Sequence, residues 1–205
     1  MTHPKSDRVK QTKLELLEAA RGVLTRDGFS GLSTRRVADA AGTQMSQIQY
    51  HFGSKEGLIL ALFEHMNAGL VDRQTAAFGR PDLGISQKWN LACDYLEEDI
   101  ASGYVRVLQE LIAAGWSNAN IRHAVRAALG QWHSLLTALA HEAEQEFGHL
   151  GPFTPEGLAA LVATTFIGTE SLCLLGYEEK IHPVRDVLRQ VGAVIASLEQ
   201  QTASE

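Results

Sequence analysis

The spacing of the apolar residues is the feature that most constrains how this chain folds. Through most of the 205 residues, apolar side chains recur at intervals of three and four, which places them on one face of an α-helix. The alternation of apolar and polar residues that is typical of strands is absent. The pattern predicts an all-α protein of about nine helices, separated by turns that contain glycine, proline and helix-capping residues.

Two of the predicted helices are short and lie close together near the N-terminus. Ser33 is expected to cap a second helix that Gly42 ends. Thr43 is expected to cap a third helix over residues 44–51, which has little apolar surface of its own. Two short helices joined by a tight turn are the arrangement of a helix-turn-helix motif.

The third helix is rich in amide side chains, which suits contacts with DNA bases. Gln44, Gln47 and Gln49 can each hydrogen-bond both N7 and the N6 amino group of adenine in the major groove. Thr43 and Met45 are placed to contact a thymine methyl group. Phosphates are bound by hydroxyl groups, helix N-terminal amides and positive charges. The residues expected to serve in this way are Ser33, Thr34, Arg35, Tyr50, His51 and Lys55.

Charge is unevenly distributed along the chain, although its net value is -6. Residues 1–60 contain nine Lys and Arg against six Asp and Glu, a net of +3. Residues 61–205 contain nine against eighteen, a net of -9. A basic end on an acidic body favours contact between the N-terminal part and phosphates, with another role for the remainder.

The N-terminal segment resembles the DNA-binding domain of the TetR family of bacterial repressors. The resemblance depends on the runs Leu32–Gly42 and Ile48–Leu58, and it covers about residues 9–63. It implies a three-helix DNA-reading domain over residues 1–53. It also implies that a fourth helix joins this part to a ligand-binding and dimerising domain, a C-terminal helical bundle, over residues 54–205.

The resemblance also implies roles for individual residues. Ser33 and Thr34 at the start of the second helix, and Lys55 at the start of the fourth, correspond to phosphate contacts in the family. Gln49 departs from the family pattern, which most often has an aromatic residue at this position. The departure favours an adenine contact at this position in place of the family's phosphate or thymine contact.

The eighth and ninth helices are predicted to form an interface between two copies of the chain. Residues 158–175 are almost uniformly apolar, with Glu170 as their one charged residue. Their length approaches that of a membrane span, but hydroxyl groups and a carboxylate within the segment disfavour a bilayer. A homodimer is therefore expected, with a core helix of a single chain as the alternative. The predicted interface residues are Ala160, Thr164, Gly168, Val187, Val191 and Val194.

Aromatic residues in the C-terminal part are candidates for a small-molecule pocket, with ordinary core packing as the alternative for each. Glu170 is the strongest polar candidate, because an unpaired carboxylate in an apolar helix requires a partner. A cationic or hydrogen-bond-donating ligand meets that requirement, and so does an arginine of the same chain or of the other subunit. The candidate pocket residues are Trp89, Tyr104, Trp116, Trp132, His133, Phe166 and Glu170.

Other functional classes receive little support from the sequence. Neither a nucleophile–base pair, a glycine-rich phosphate loop nor a metal-ligand spacing stands out, so neither an enzyme, a metal nor a cofactor is expected. Cys93 and Cys173 are expected to be buried thiols in a cytoplasmic protein. The predicted function is a DNA-binding transcriptional regulator, a repressor that an unidentified small molecule releases from a palindromic operator. The alternative is a ligand-independent or architectural DNA-binding protein.

Overall fold

The helical spacing of the apolar residues corresponds to nine α-helices in the part of the chain that the structure describes. The structure is a computed structural model that describes residues 4–177 and 180–204, with side chains from residue 7 onward. The prediction of an all-α fold is confirmed. The helices are α1 (Pro4–Gly31), α2 (Thr34–Ala40), α3 (Met45–Phe52), α4 (Lys55–Phe78), α5 (Ile85–Ser102), α6 (Tyr104–Gly115), α7 (Ala119–Phe147), α8 (Pro155–Leu174) and α9 (Val184–Thr202).

Hydroxyl side chains cap the N-termini of several of these helices. Ser33 Oγ accepts a hydrogen bond from the backbone N–H of Arg36 at 3.3 Å, which caps α2 as predicted. Thr154 Oγ1 accepts one from the N–H of Gly157 at 3.2 Å and caps α8. Each bond satisfies one of the backbone donors that a helix N-terminus leaves without an intrahelical partner.

The turn between α2 and α3 differs from the prediction at Thr43. Gln44, not Thr43, occupies the N-cap position of α3, and its side chain makes no capping hydrogen bond. The backbone N–H of Thr43 instead donates to the carbonyl of Ala38 at 2.9 Å, so Thr43 closes the last turn of α2. Gly42 has a φ of 62°, a left-handed conformation that glycine adopts at no steric cost. The expected cap at Thr43 is therefore wrong, because the backbone of that residue closes the turn after α2 and Gln44 takes the N-cap position of α3.

The chain divides into two units, each with its own core. The first comprises residues up to Ala68 together with Ser102–Val125, and the second comprises Gly69–Ala101 together with the residues from Arg126 onward. Helices α4 and α7 contribute to both units. The predicted domains, 1–53 and 54–205, stay a prediction about function, and they include residues 1–3, 178, 179 and 205, which lie outside the described part.

In the first unit, α1 packs against α2 and α6, and α2 packs against α3. The interior is mainly aliphatic and also contains the rings of Phe63 and Tyr104. Burial of each large side chain contributes about 1.5–3 kcal/mol relative to an exposed position. The largest fully buried side chains are Leu16, Val23, Leu24, Leu32, Val37, Ile48, Leu58, Leu62, Phe63, Val105, Val107 and Leu111.

In the second unit, Phe166 of α8 lies at the centre of an aromatic cluster. Its ring meets those of Trp89 and Trp132 edge to face, with centroid distances of 5.7 and 6.2 Å. Trp89 Nε1 donates a hydrogen bond to the carbonyl of Leu188 at 2.6 Å, which satisfies the only polar atom of the indole. The same cluster includes Cys93, so α5, α7, α8 and α9 share one core.

Candidate nucleic-acid interface

Helix α3 is attached to the first unit by very little buried surface. Ile48, with 1% of its surface exposed, is the one buried residue of the helix. Met45 and Tyr50 expose 54% and 72% of their surfaces, and Gln44 and Gln49 are also exposed. A helix with one buried side chain and an outward face of amide, hydroxyl and aromatic groups can place most of its length against another molecule.

Within α3 and the turn before it, Thr43, Gln47 and His51 are half-buried. The His51 ring lies edge to face with that of Tyr50, at a centroid distance of 5.0 Å. His51 therefore supports the exposed Tyr50 ring from one side. Thr43, Gln44, Met45, Gln47, Gln49, Tyr50 and His51 all lie in one continuous segment of α3 and the turn before it.

Helix α2 presents its N-terminus and a basic face. Thr34 is its first residue, and Arg35 is exposed. The Arg36 guanidinium lies 3.3 Å from the carboxylate of Asp27. The hydrogen bond from Arg26 to the same carboxylate lowers the pKa of Asp27, so the acidic group beside α2 is held ionised and paired. Arg36 is thus paired with Asp27, whereas Arg35 is an exposed positive group two residues after the cap at Ser33.

Lys55 begins α4 at the other side of α3. Its side chain is exposed, and its Nζ lies 6.0 Å from the centroid of the Phe29 ring. A second lysine, Lys13 of α1, has its Nζ at the same distance from the ring of Phe52, the last residue of α3. Cation–π contacts of this kind limit the positions of a flexible lysine while leaving its N–H donors free to bind an anion.

The junction between α3 and α4 depends on Gly57, which sequence reasoning missed. A Cβ atom on this residue would lie 2.0 Å from the carbonyl oxygen of Phe52, far inside any allowed contact. The N–H of Gly57 donates to Ser54 Oγ at 3.0 Å, which caps α4. The backbone of α3 and the first turn of α4 therefore approach more closely than any residue with a side chain permits. A glycine in the first turn of a helix was the sequence signal.

Comparisons with known proteins agree with this geometry. The family model described as bacterial regulatory proteins, tetR family, matches residues 16–62, which include α2, α3 and the start of α4. The N-terminal segment of the chain, over residues 16–62, is therefore of the tetR type. The TetR resemblance expected from the sequence is thus confirmed.

Individual relatives extend the comparison. The transcriptional repressor AcnR of Corynebacterium glutamicum is 39% identical over 56 residues, which are 27% of this chain and 30% of AcnR. The chain therefore matches about a third of the length of that relative. The transcriptional regulator UidR of Escherichia coli K12 is 26% identical over 151 residues, 71% of this chain and 70% of UidR. These relatives are regulators, not enzymes, as the sequence analysis expected.

Solved structures share the whole architecture. A TetR transcription regulator from Haloarcula marismortui superposes with a TM-score of 0.75, covering 92% of this chain and 97% of its own. The sequence identity of 18% means that this likeness concerns the fold alone. The nine-helix arrangement is therefore the TetR-type fold.

The seven candidate pocket residues are not brought together as one set. Trp89, Trp132 and Phe166 form the aromatic cluster of the second unit. Tyr104 belongs to the first unit, where its hydroxyl donates to Asn67 Oδ1 at 2.9 Å and its ring stacks on Phe63. The buried position expected for Trp116 is not found, because 79% of its surface is exposed at the end of α6.

The two polar candidates for the pocket, Glu170 and His133, both interact with other residues of the chain. Glu170 is 8% exposed and has an interaction partner within the structure, and its contact with a ligand stays a prediction. His133 is half-buried, with its Nδ1 3.4 Å from Thr137 Oγ1 on the next turn of α7. Among the described residues, no group of three or more His, Cys, Asp and Glu side chains is placed to hold a metal ion.

The predicted interface residues lie on outward faces of α8 and α9. Ala160, Thr164 and Gly168 are all exposed, and on α9 Val187 and Val194 expose 50% and 60% of their surfaces. Val191, between the two valines, is half-buried. Among the described residues, Pro155–Leu174 is the one helix long and apolar enough to span a membrane. In its most apolar stretch, 28% of the residues are buried within the chain. Length and composition alone are weak evidence for a span.

Sequence reasoning also missed a buried lysine in the second unit. Lys88 of α5 is 2% exposed, and its Nζ bonds to Glu142 Oε1 of α7 at 2.5 Å. Nearby, Glu199 of α9 accepts hydrogen bonds from the backbone and hydroxyl of Ser86. These bonds tie the start of α5 to α7 and α9. Lys88 alone gave no signal, because lysine on a helix is ordinarily solvated.

Proposed function

We propose that the chain is a cytoplasmic DNA-binding transcriptional regulator that reads its operator with α3. The observation that carries this proposal is the exposed face of α3, on which amide groups stand outward over one buried residue, Ile48. The face lies between exposed cations at Arg35 and Lys55. This arrangement matches a recognition helix that enters the major groove while groups on both sides contact phosphates.

The predicted contact groups divide into two classes by chemistry. Gln44, Gln47 and Gln49 can each donate and accept a hydrogen bond at one base edge, which is what base discrimination requires. Lys55 and Arg35 are point sources of positive charge, and phosphate contacts of this type are insensitive to sequence. Base preference should therefore depend on the glutamines, and overall affinity on the cations.

Operator selection from random DNA, followed by binding titrations at fixed salt concentration, tests this division. We expect Gln44→Ala or Gln47→Ala to change the preference at one position of each half-site by about 1–3 kcal/mol. Lys55→Ala should weaken binding to all sequences alike and reduce the salt dependence by about one counterion. Gln145→Ala, at an exposed position of α7, is the matched control and should alter neither. Uniform weakening by both classes of variant would refute the division.

We further propose that the regulator is a homodimer formed by the outward faces of α8 and α9. The hydroxyl of Thr164 donates to the backbone carbonyls of Ala160 and Leu161, and that of Thr165 donates to Leu161. Because these hydroxyls are satisfied within α8, the outer face of the helix is effectively apolar. Exposed apolar residues of α9 continue the surface, and two such helix pairs form a four-helix interface.

Light scattering coupled to size-exclusion chromatography tests the dimer. Val194 is 60% exposed, so Val194→Asp does not disturb the core of the chain. We expect this variant to be monomeric and to bind a palindromic operator much more weakly. Val9→Asp, at an exposed position of α1, is the matched control and should leave the dimer intact. An unchanged dimer in Val194→Asp would argue for another interface.

We also propose that the regulator is a repressor released by a ligand in the second unit. The supporting observation is that α4 is continuous from Lys55, beside α3, to Phe78 in the second unit. A ligand that binds preferentially to one position of α4 changes the distance between the two α3 helices of the dimer. The alternative, a ligand-independent DNA-binding protein, predicts operator affinity that no bound ligand alters.

A further inference from the structure

Two consecutive residues of α4 hold the buried polar side-chain atoms that lack a hydrogen-bond partner among the described residues. These atoms are Arg73 Nε and Gln74 Oε1. A buried carbonyl oxygen without a donor is unfavourable, and native proteins leave few of them. Both atoms belong to the second unit, which is the part of the chain where a ligand is proposed to bind.

The surroundings of Arg73 account for its side chain without a ligand. Its guanidinium donates to Glu98 Oε2 at 2.7 Å and to Asp99 Oδ1 at 2.8 Å. The guanidinium carbon also lies 4.2 Å from the centroid of the Tyr95 ring, within range of a cation–π interaction. The charge of Arg73 is therefore compensated through its two terminal nitrogens, while its Nε stays without a partner. Of the two unpaired atoms, the amide oxygen of Gln74 is the hydrogen-bond acceptor.

Gln74 occupies a core position of α4. It is 6% exposed, and Ala77 and Phe78, one turn further along the same face, are 8% and 5% exposed. The Phe78 ring lies 6.2 Å from that of Tyr95 on α5. An amide thus stands in a row of apolar side chains next to two aromatic rings. A leucine or methionine at position 74 would avoid the cost of the unpaired oxygen, so packing alone does not explain glutamine.

The same region disfavours a charged ligand. Burial raises the pKa of Asp99, with the hydrogen bond and charge of Arg73 acting against that shift. The charged groups facing Arg73 are Glu98 and Asp99, and both bond to it. An added charge would therefore have no free partner among these groups.

We propose that Gln74 Oε1 is the hydrogen-bond acceptor of the ligand site, for a small, neutral, mainly aromatic molecule that carries a hydroxyl or N–H donor. This inference rests on the proposed function, because it specifies the ligand of that regulator. The donor satisfies the amide oxygen, and the apolar body packs against side chains such as Phe78 and Tyr95. A neutral donor paired with a buried acceptor favours binding by about tenfold or more over an analogue that lacks the donor.

Calorimetric titration of the full chain with paired probes tests this inference. The donors are phenol, p-cresol and indole, and their methylated counterparts are anisole, p-methylanisole and N-methylindole. We expect each donor to bind about tenfold more tightly than its counterpart in the unaltered protein. Gln74→Leu should abolish the difference, while Gln145→Leu, at an exposed position of α7, should retain it. Binding of none of the probes, or equal binding of donors and counterparts, would overturn the proposal.

Thermal unfolding without any probe separates this role from a structural one. If Gln74 is present for a ligand, Gln74→Leu and Gln74→Met should melt at the same or a higher temperature than the unaltered protein, because each removes an unpaired oxygen. A lower melting temperature in both variants means that the amide supports the fold, and the proposal fails. Operator binding by Gln74→Leu should be unchanged. If the unaltered protein itself does not bind operator DNA, the proposed regulatory function is refuted, but the ligand site is not.

Discussion

Gly57 sets the contact between the reading helix α3 and α4, and replacing it with alanine gives a quantitative test of that contact. Two effects oppose each other in Gly57→Ala. Alanine is favoured over glycine inside a helix by about 1 kcal/mol. The new methyl group would lie 2.0 Å from the Phe52 carbonyl oxygen, where the closest ordinary Cβ contacts begin at 3.0 Å.

The clash should outweigh the gain in helix propensity. Relief of the overlap requires the end of α3 or the first turn of α4 to move by about 1 Å, and overpacking of this kind costs about 3 kcal/mol. The net loss is then about 2 kcal/mol, which lowers the melting temperature by about 4–8 °C for a chain of this size. Because Lys55 and Tyr50 flank the junction, operator affinity should fall as well.

Gly69→Ala in the same helix is the matched control. A Cβ atom on Gly69 meets nothing within 4 Å, so only the propensity effect operates there. We expect Gly69→Ala to raise the melting temperature by about 2–4 °C and to leave operator affinity unchanged. Differential scanning calorimetry and a binding titration measure both effects. If the two variants are stabilised equally, the close approach at Gly57 is refuted.

Two further predictions concern single side chains. Ser33→Ala removes the cap of α2 and should lower the free energy of unfolding by about 1 kcal/mol. Ser33→Asp keeps a capping oxygen, but its negative charge should repel phosphate and weaken operator binding. Denaturant unfolding measures the first effect, and an operator titration measures the second. Burial, with repulsion from Glu199 and Glu142, raises the pKa of Glu146 in the folded state, so the charged form destabilises the fold as pH rises through that pKa. Glu146→Gln should therefore stabilise the protein at neutral pH, by less than about 1 kcal/mol, and leave stability unchanged in acid below the ordinary carboxylate range, as thermal melts at both pH values would show.

Much of the fold could be predicted because its signals are local. Helical spacing, the hydroxyl caps at Ser33 and Thr154, and the turn glycine at Gly42 each act within a few residues of themselves. The outward face of α3 was predictable for the same reason, since one apolar position in the middle of a short helix leaves little choice of orientation. The cap at Thr43 failed because two adjacent polar residues both suit an N-cap, and the hydrogen bond to Ala38 decides between them.

The candidate site in the second unit was less predictable because it depends on packing between distant segments. Spacing along one helix does not show that Tyr104 stacks on Phe63, or that Trp116 is left exposed. Lys88 and Gln74 are ordinary surface residue types, and only the packed structure shows both as buried. The sequence did contain one signal for this site, which is a pair of polar residues on the buried face of α4. Gln74 lies on the same face as Asn67, seven residues earlier, and both are buried.

The weak attachment of α3 follows from its proposed task. A helix that reads DNA must keep its polar face exposed, and in α3 only Ile48 is buried in the core. The burial of this side chain contributes about 1.5–3 kcal/mol. That contribution does not offset the backbone entropy lost by eight ordered residues. The remaining order must come from the ends of the helix, where the turn at Gly42 and the contact at Gly57 fix the backbone. The two glycines therefore bear on DNA recognition as directly as the glutamines, although neither contacts a base.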